Sequence, residues 1–116
     1  MATTIIGSSG VTFPDATIQP SAAIGVSQSW GDYTSTRAIN TTYTNNTGRS
    51  IEVAVGVSLN NTSTFTNLVV GGVNASRTQG VAGGLYVYDL RAIVPNGATY
   101  LVSGGSPGLS SWRELR

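Results

Sequence analysis

Hydrophobic residues recur at every second position from residue 51 to residue 59. Ile51, Val53, Val55, Val57 and Leu59 point one way, and Glu52, Ala54, Gly56 and Ser58 the other. A two-residue period over that length predicts a strand with one oily face, because a helix would scatter those five side chains around its circumference. The strand follows a turn at Asn45-Asn46-Thr47-Gly48, whose residues tolerate left-handed backbone and bond their own main chain. The same reading predicts strands over 26–33, 64–71, 98–103 and 109–116, with a short, weakly patterned piece over 73–78 and a lead-in over 37–43. A second strong strand covers 85–94 and is apolar on both faces. Leu85 and Val87 lie on one face, and Tyr86, Tyr88 and Leu90 on the other. One face then belongs to a core and the other is free for a partner subunit. Asp89 and Arg91 share a face and are placed to pair.

No segment shows the i, i+3, i+4 recurrence of an amphipathic helix. About eight short strands with Gly- and Asn-rich turns predict an all-β chain, an antiparallel β-sandwich of jelly-roll type. Residues 1–25 read differently. Val11-Thr12-Phe13 and Thr17-Ile18-Gln19 are short extended pieces between Ser8-Ser9-Gly10 and two prolines. They predict an extended N-terminal arm that docks on a neighbouring subunit or another protein, with the sandwich over 26–116.

Composition narrows the function. Charged residues make up 9% of the chain, against about 25% in ordinary soluble domains. Ser, Thr and Asn supply roughly a third, so the surface is polar but carries few charges. The six basic residues are all arginine and are scattered, with a net charge of +1. That argues against nucleic acid as a partner. No apolar run is long enough for a membrane-spanning helix, so no membrane insertion is expected. The start lacks the charged and apolar regions of a secretory signal, and the absence of cysteine is compatible with cytosolic synthesis.

Catalysis finds little support. The chain has no histidine, cysteine or lysine, which removes the usual general base, thiol nucleophile and Schiff-base amine. Gly104-Gly105-Ser106-Pro107-Gly108 matches G-x-S-x-G in form only. It lacks a histidine partner, and proline after the serine has no amide N–H for an oxyanion hole. Asp15, Asp32, Glu52, Asp89 and Glu114 suggest no facing pair, no metal site and no cofactor. Aromatic side chains in a small β domain are mostly core, and Tyr43, Phe65 and Tyr100 are assigned there. Trp30, Tyr33, Asn60 and Asn61 are the candidates for an exposed receptor-binding surface, since loops carry recognition. Phe13, Ile18, Tyr86, Tyr88 and Leu90 are the candidates for a subunit interface.

Two stretches carry a resemblance. The run from Gly10 to Gln19, GVTFPDATIQ, resembles the I/V-x-F-P-D-x-T-x-Q segment that recurs in tail fibres and other fibrous virion proteins of bacteriophages. The body resembles the small C-terminal head domains of such fibres through Arg37, Thr41 to Asn45 with Gly48-Arg49, Ile93 to Tyr100, and Leu109 to Arg116. Such fibres carry a long shaft before the head, whereas here the motif lies close to residue 1. The resemblance implies a homotrimeric virion component that attaches to a glycan or protein of the host surface. Its arm would hold other virion proteins. The alternative it leaves open is a purely structural head fibre, collar or capsid decoration protein. No receptor-contacting residue is carried over from the family.

Overall fold

The computed structural model describes residues 4–6, 10–19, 22–60, 65–105 and 107–116. Among these residues eleven strands form three antiparallel sheets. The predicted strand at the centre of the sequence is β6 (Ile51–Leu59). Its five odd-numbered apolar side chains are 0–4% exposed, each contributing roughly 1.5–3 kcal/mol through burial. It lies between β11 (Gly108–Leu115) and β9 (Tyr86–Val94), and β4 (Trp30–Asp32) completes that sheet on the far side of β11. The facing sheet runs β5 (Tyr43–Thr44), β10 (Thr99–Gly104), β7 (Phe65–Val70), β8 (Val73–Gln79). Leu68, Tyr100 and Val102 meet Leu90, Val94, Trp112 and the β6 residues in the core between the two. The expected all-β sandwich is therefore the fold.

The connectivity is nested. Strand β4 pairs with β11, β5 with β10, β6 with β9, and β7 with β8. These four pairs alternate between the sheets, and the β6–β11 and β7–β10 ladders close each sheet. The chain is thus one long two-stranded ribbon wound around the core. This winding gives the sandwich two distinct ends. The connections after β5, β7 and β9 lie at one end and those after β6, β8 and β10 at the other.

The N-terminal arm joins at the first of these ends. Arg49 Nη2 donates to the carbonyls of Ala23 at 3.1 Å and Val26 at 2.6 Å. Gln28 Nε2 donates to Ser50 O at 2.9 Å. Ser29 and Arg116 exchange backbone hydrogen bonds at 3.0 and 3.1 Å, extending the β4–β11 ladder. The sandwich therefore grips the chain from Ala23 onward. The expected strand over 26–33 shortens to three residues. Its first half bends, with Gly25 and Ser27 at φ +91° and +53°, and Asp32 ends it by accepting from Thr34 N at 3.0 Å and Thr34 Oγ1 at 2.6 Å.

The arm folds back on itself. Strands β1 (Thr4–Ile6), β2 (Gly10–Thr12) and β3 (Ile18–Gln19) form a separate sheet in that order. The Phe-Pro-Asp-Ala-Thr motif is its hairpin. Phe13 N donates to Thr17 O at 2.8 Å, Ala16 takes φ +67°, and Asp15 Oδ1 accepts from Thr17 N at 3.0 Å and Thr17 Oγ1 at 2.6 Å. Those bonds to Thr17 hold the Asp15 carboxyl below its ordinary pKa. The sequence pattern does not reveal β1.

Three further expectations change. Phe65 is not in the core. It is 43% exposed, with the Arg77 guanidinium 3.4 Å above its ring. Leu90 is not at a surface, because it is fully buried in the chain's own core and has no area left for a neighbour. Arg91 reaches Glu52 at 3.5 Å rather than Asp89, since the register sets Ala54 opposite Arg91 and leaves Glu52 on the diagonal.

Candidate functional site

Two places concentrate polar or exposed reactive surface. The first is buried. Trp112 and Glu114 alternate on β11 and both face inward, where Glu114 is 0% exposed. Its Oε1 accepts from Trp112 Nε1 at 3.0 Å, Tyr100 Oη at 2.9 Å and Arg37 Nε at 3.0 Å. Its Oε2 lies 3.4 Å from Arg37 Nη2 and 3.4 Å from Arg116 Nε, the latter a charge contact without hydrogen-bond geometry. Tyr43 packs edge-on to Trp112 at 5.8 Å and tilted to Tyr100 at 5.9 Å. Arg37 caps the group, 4.4 Å above the Tyr43 ring and 5.1 Å above that of Tyr33.

This cluster holds rather than reacts. Burial alone would lower the Arg37 pKa, but the hydrogen bond and charge of Glu114 outweigh it and hold it above its ordinary value. Burial, then the hydrogen bond and charge of Glu114, push the Tyr100 phenol up to about 12. Both carboxylate oxygens are occupied by donors, and Arg37 closes the group from solvent. Glu114 is thereby tied to β10, to β11 and to the segment between β4 and β5. Stability should follow the Tyr100 phenol at high pH. Its folded pKa exceeds the unfolded value of 10.0, so this contribution is complete below pH 10 and is lost as pH rises towards about 12. Chemical denaturation between pH 9 and 12 is expected to show that decline, and Tyr100→Phe to flatten it.

Among the described residues no three of Asp, Glu, His or Cys are grouped as metal ligands, and no enclosed pocket opens. Ser106 of the G-x-S-x-G run lies outside the described residues.

The second place is the end of the sandwich opposite the arm. Phe65 opens β7, Tyr86 and Val87 open β9, and Val81 and Leu85 lie in the connection between β8 and β9. They are 43–69% exposed. Gly84 lets the Tyr86 ring lie close over the backbone, where a Cβ would stand 3.2 Å from it. Phe65 lies on the outer face of one sheet and Val87 on that of the other, and Ile24, Val26, Trp30, Val73 and Ile93 are likewise exposed near the arm end, so the apolar residues grouped here by sequence are Val81, Leu85 and Tyr86 around the β8–β9 connection. No protein-family model, curated protein or solved structure matches the chain.

The predicted receptor-binding residues do not come together. Trp30 is 47% exposed, but its partner in the ladder is Leu115, which also faces Glu52 at the start of β6. That is the arm end. Tyr33 is half-buried between Arg37 and Arg116. Asn60 is exposed just past Leu59, at the other end of β6. Eight residue steps at about 3.3 Å separate the ends of that strand by roughly 26 Å. Asn61 lies outside the described residues. Of the predicted interface residues, Phe13 and Ile18 are exposed on the arm at 39% and 55%, and Tyr86 is 50% exposed. Tyr88 packs partly against the core. Sequence reasoning assigned no role to Val81, and placed Phe65 inside. The signal for both was available, as each borders a Gly- or Asn-rich loop where exposure is the rule.

Proposed function

We propose that the chain is a virion structural protein, a bacteriophage tail-fibre or tail-tip component that attaches to the host cell surface as a homotrimer. The observation that carries this reading is the division between the two ends of the sandwich. The arm with the Phe-Pro-Asp motif leaves from one end, and the apolar rim of Val81, Leu85 and Tyr86 around the β8–β9 connection lies at the other. The arm is the docking element towards other virion proteins, and the rim is the element presented to a host glycan or protein. Aromatic and aliphatic side chains with few charges suit stacking on saccharide rings or burial against an apolar protein surface. Three rims on one rigid assembly convert weak contacts into firm attachment through effective concentration.

The wound ribbon supports the same reading by analogy. We read its nested strand order as a jelly roll, an architecture used in viral capsid and lectin domains. The rigid Glu114 cluster fits a domain that bears load rather than one that opens and closes.

The test is sedimentation of the purified chain with host envelope fragments and, separately, with emptied capsids. Saturable binding to envelope is the expected result. Binding to capsids alone would replace this reading with that of a head fibre, collar or decoration protein. Binding to neither would overturn both.

A further inference from the structure

Among the described residues strand β9 is the edge of its sheet, with β6 as its only bonded neighbour. The ladder to β6 is continuous over nine residues, with no register shift. The strand contains no proline or lysine and its ladder carries no bulge; of the usual devices that blunt an edge it has only two charges, Asp89 and Arg91, which are of opposite sign. Strand β8 of the facing sheet, also an edge, differs, since the β7–β8 register shifts at Leu68/Val69. Outside the β6 ladder, and among the described residues, the β9 backbone accepts a hydrogen bond at Val94 O from Asn45 Nδ2 at 2.9 Å. On the outer face of β9, Val87 is 61% and Ile93 50% exposed, with Asp89 and Arg91 exposed between them. An edge this long and regular is a template for another strand.

The sequence of the strand selects which one. In antiparallel pairing within one sheet, opposed residues must lie on the same face, so a two-fold axis passes through a residue of β9. An axis at Asp89 would set the two copies of that carboxylate against each other, and an axis at Arg91 would do the same with two guanidiniums. An axis at Leu90 sets Asp89 opposite Arg91 of the second copy, twice, and Val87 opposite Ile93, twice. Opposite charges and β-branched pairs directly across a ladder stabilise it, and like charges oppose it. We infer that β9 pairs antiparallel with β9 of a second copy of this chain about Leu90, joining two four-stranded sheets into one of eight strands. The strand named as an interface from the sequence is then one by its edge, and not by the face that Leu90 occupies. The inference rests on β9 alone, and joined to the homotrimer proposed above it requires trimers paired through β9, so that a free trimer overturns it. A three-fold contact elsewhere would multiply the copy number without altering this pairing.

The experiment is light scattering on the full chain and its charge variants. The native mass should be an even multiple of the 11.9 kDa chain. Arg91→Asp sets four carboxylates around the axis and Asp89→Arg sets four guanidiniums, so each should halve that mass. The double variant Asp89→Arg/Arg91→Asp should restore it. Circular dichroism of the single variants should match the wild type, as both positions are exposed. An odd number of chains in the wild type, or single variants of unchanged mass, would overturn the inference. Should a single variant unfold, hydrogen exchange decides. The outward amides of wild-type β9 should lose protection on dilution while those of β6 keep it, and equal behaviour of the two strands contradicts the pairing.

Discussion

Glu114→Ala is expected to destabilise the chain by about 3–5 kcal/mol, the usual cost of removing one partner of a buried ion pair. That is a large share of the roughly 5–15 kcal/mol that holds a domain together. The change leaves the Trp112 indole N–H, the Tyr100 hydroxyl and the Arg37 guanidinium without their shared acceptor. It also opens a void in the core. Urea denaturation monitored by Trp fluorescence would read it as a lower midpoint at similar slope. The double variant Arg37→Leu/Glu114→Leu should lose less than the sum of its single changes, because residues sharing one network are coupled by about 0.5–3 kcal/mol. Additive losses would mean that the cluster contributes only by packing.

Val55→Asp should abolish folding. Val55 is 1% exposed, at the middle of β6 and opposite Leu90 and Trp112 in its two ladders. An ionised carboxylate there has no partner within the core, and its transfer from water costs several kcal/mol at least. Val87→Asp is the control, made in the Arg91→Asp background so that pairing of β9 does not enter the melting temperature. Val87 lies on the outer face of the neighbouring strand at 61% exposure, and its change should leave the melting temperature of that background within a few degrees. Circular dichroism and thermal melting of the pair test the assignment of faces directly. Equal behaviour would mean that the register is wrong by one residue.

These two side chains mark what the sequence discloses and what it hides. The face of β6 is legible because a two-residue period has only one solution on a half-buried strand. The faces of β9 are less so, since an edge strand with apolar residues on both sides gives the same pattern whichever side meets the core. Only the ladder to β6 settles that Leu90 and Val94 face inward. Glu114 could not be read as buried from its neighbours. Its partners Arg37 and Tyr100 lie 77 and 14 residues away, and a carboxylate enters a core only where such donors converge. The arm misled for a related reason. Phe13 to Thr17 reads as an extended piece followed by a turn, yet bonds to Thr17 close it into a hairpin that recruits β1. Trp30 and Asn60 read as one surface in the sequence because it carries no polarity for a wound ribbon. Once the strands are paired, the two lie at opposite ends of the sandwich.

That opposition is the centre of the functional account, and one comparison tests it. Envelope binding should be measured for two variants of the full chain, Leu85→Ser/Tyr86→Ser at the rim and Trp30→Ser at the arm end. The account predicts that the rim variant loses binding at least tenfold while Trp30→Ser binds as the wild type does. Loss of binding in Trp30→Ser with the rim variant unaffected would place recognition at the arm end and contradict the account.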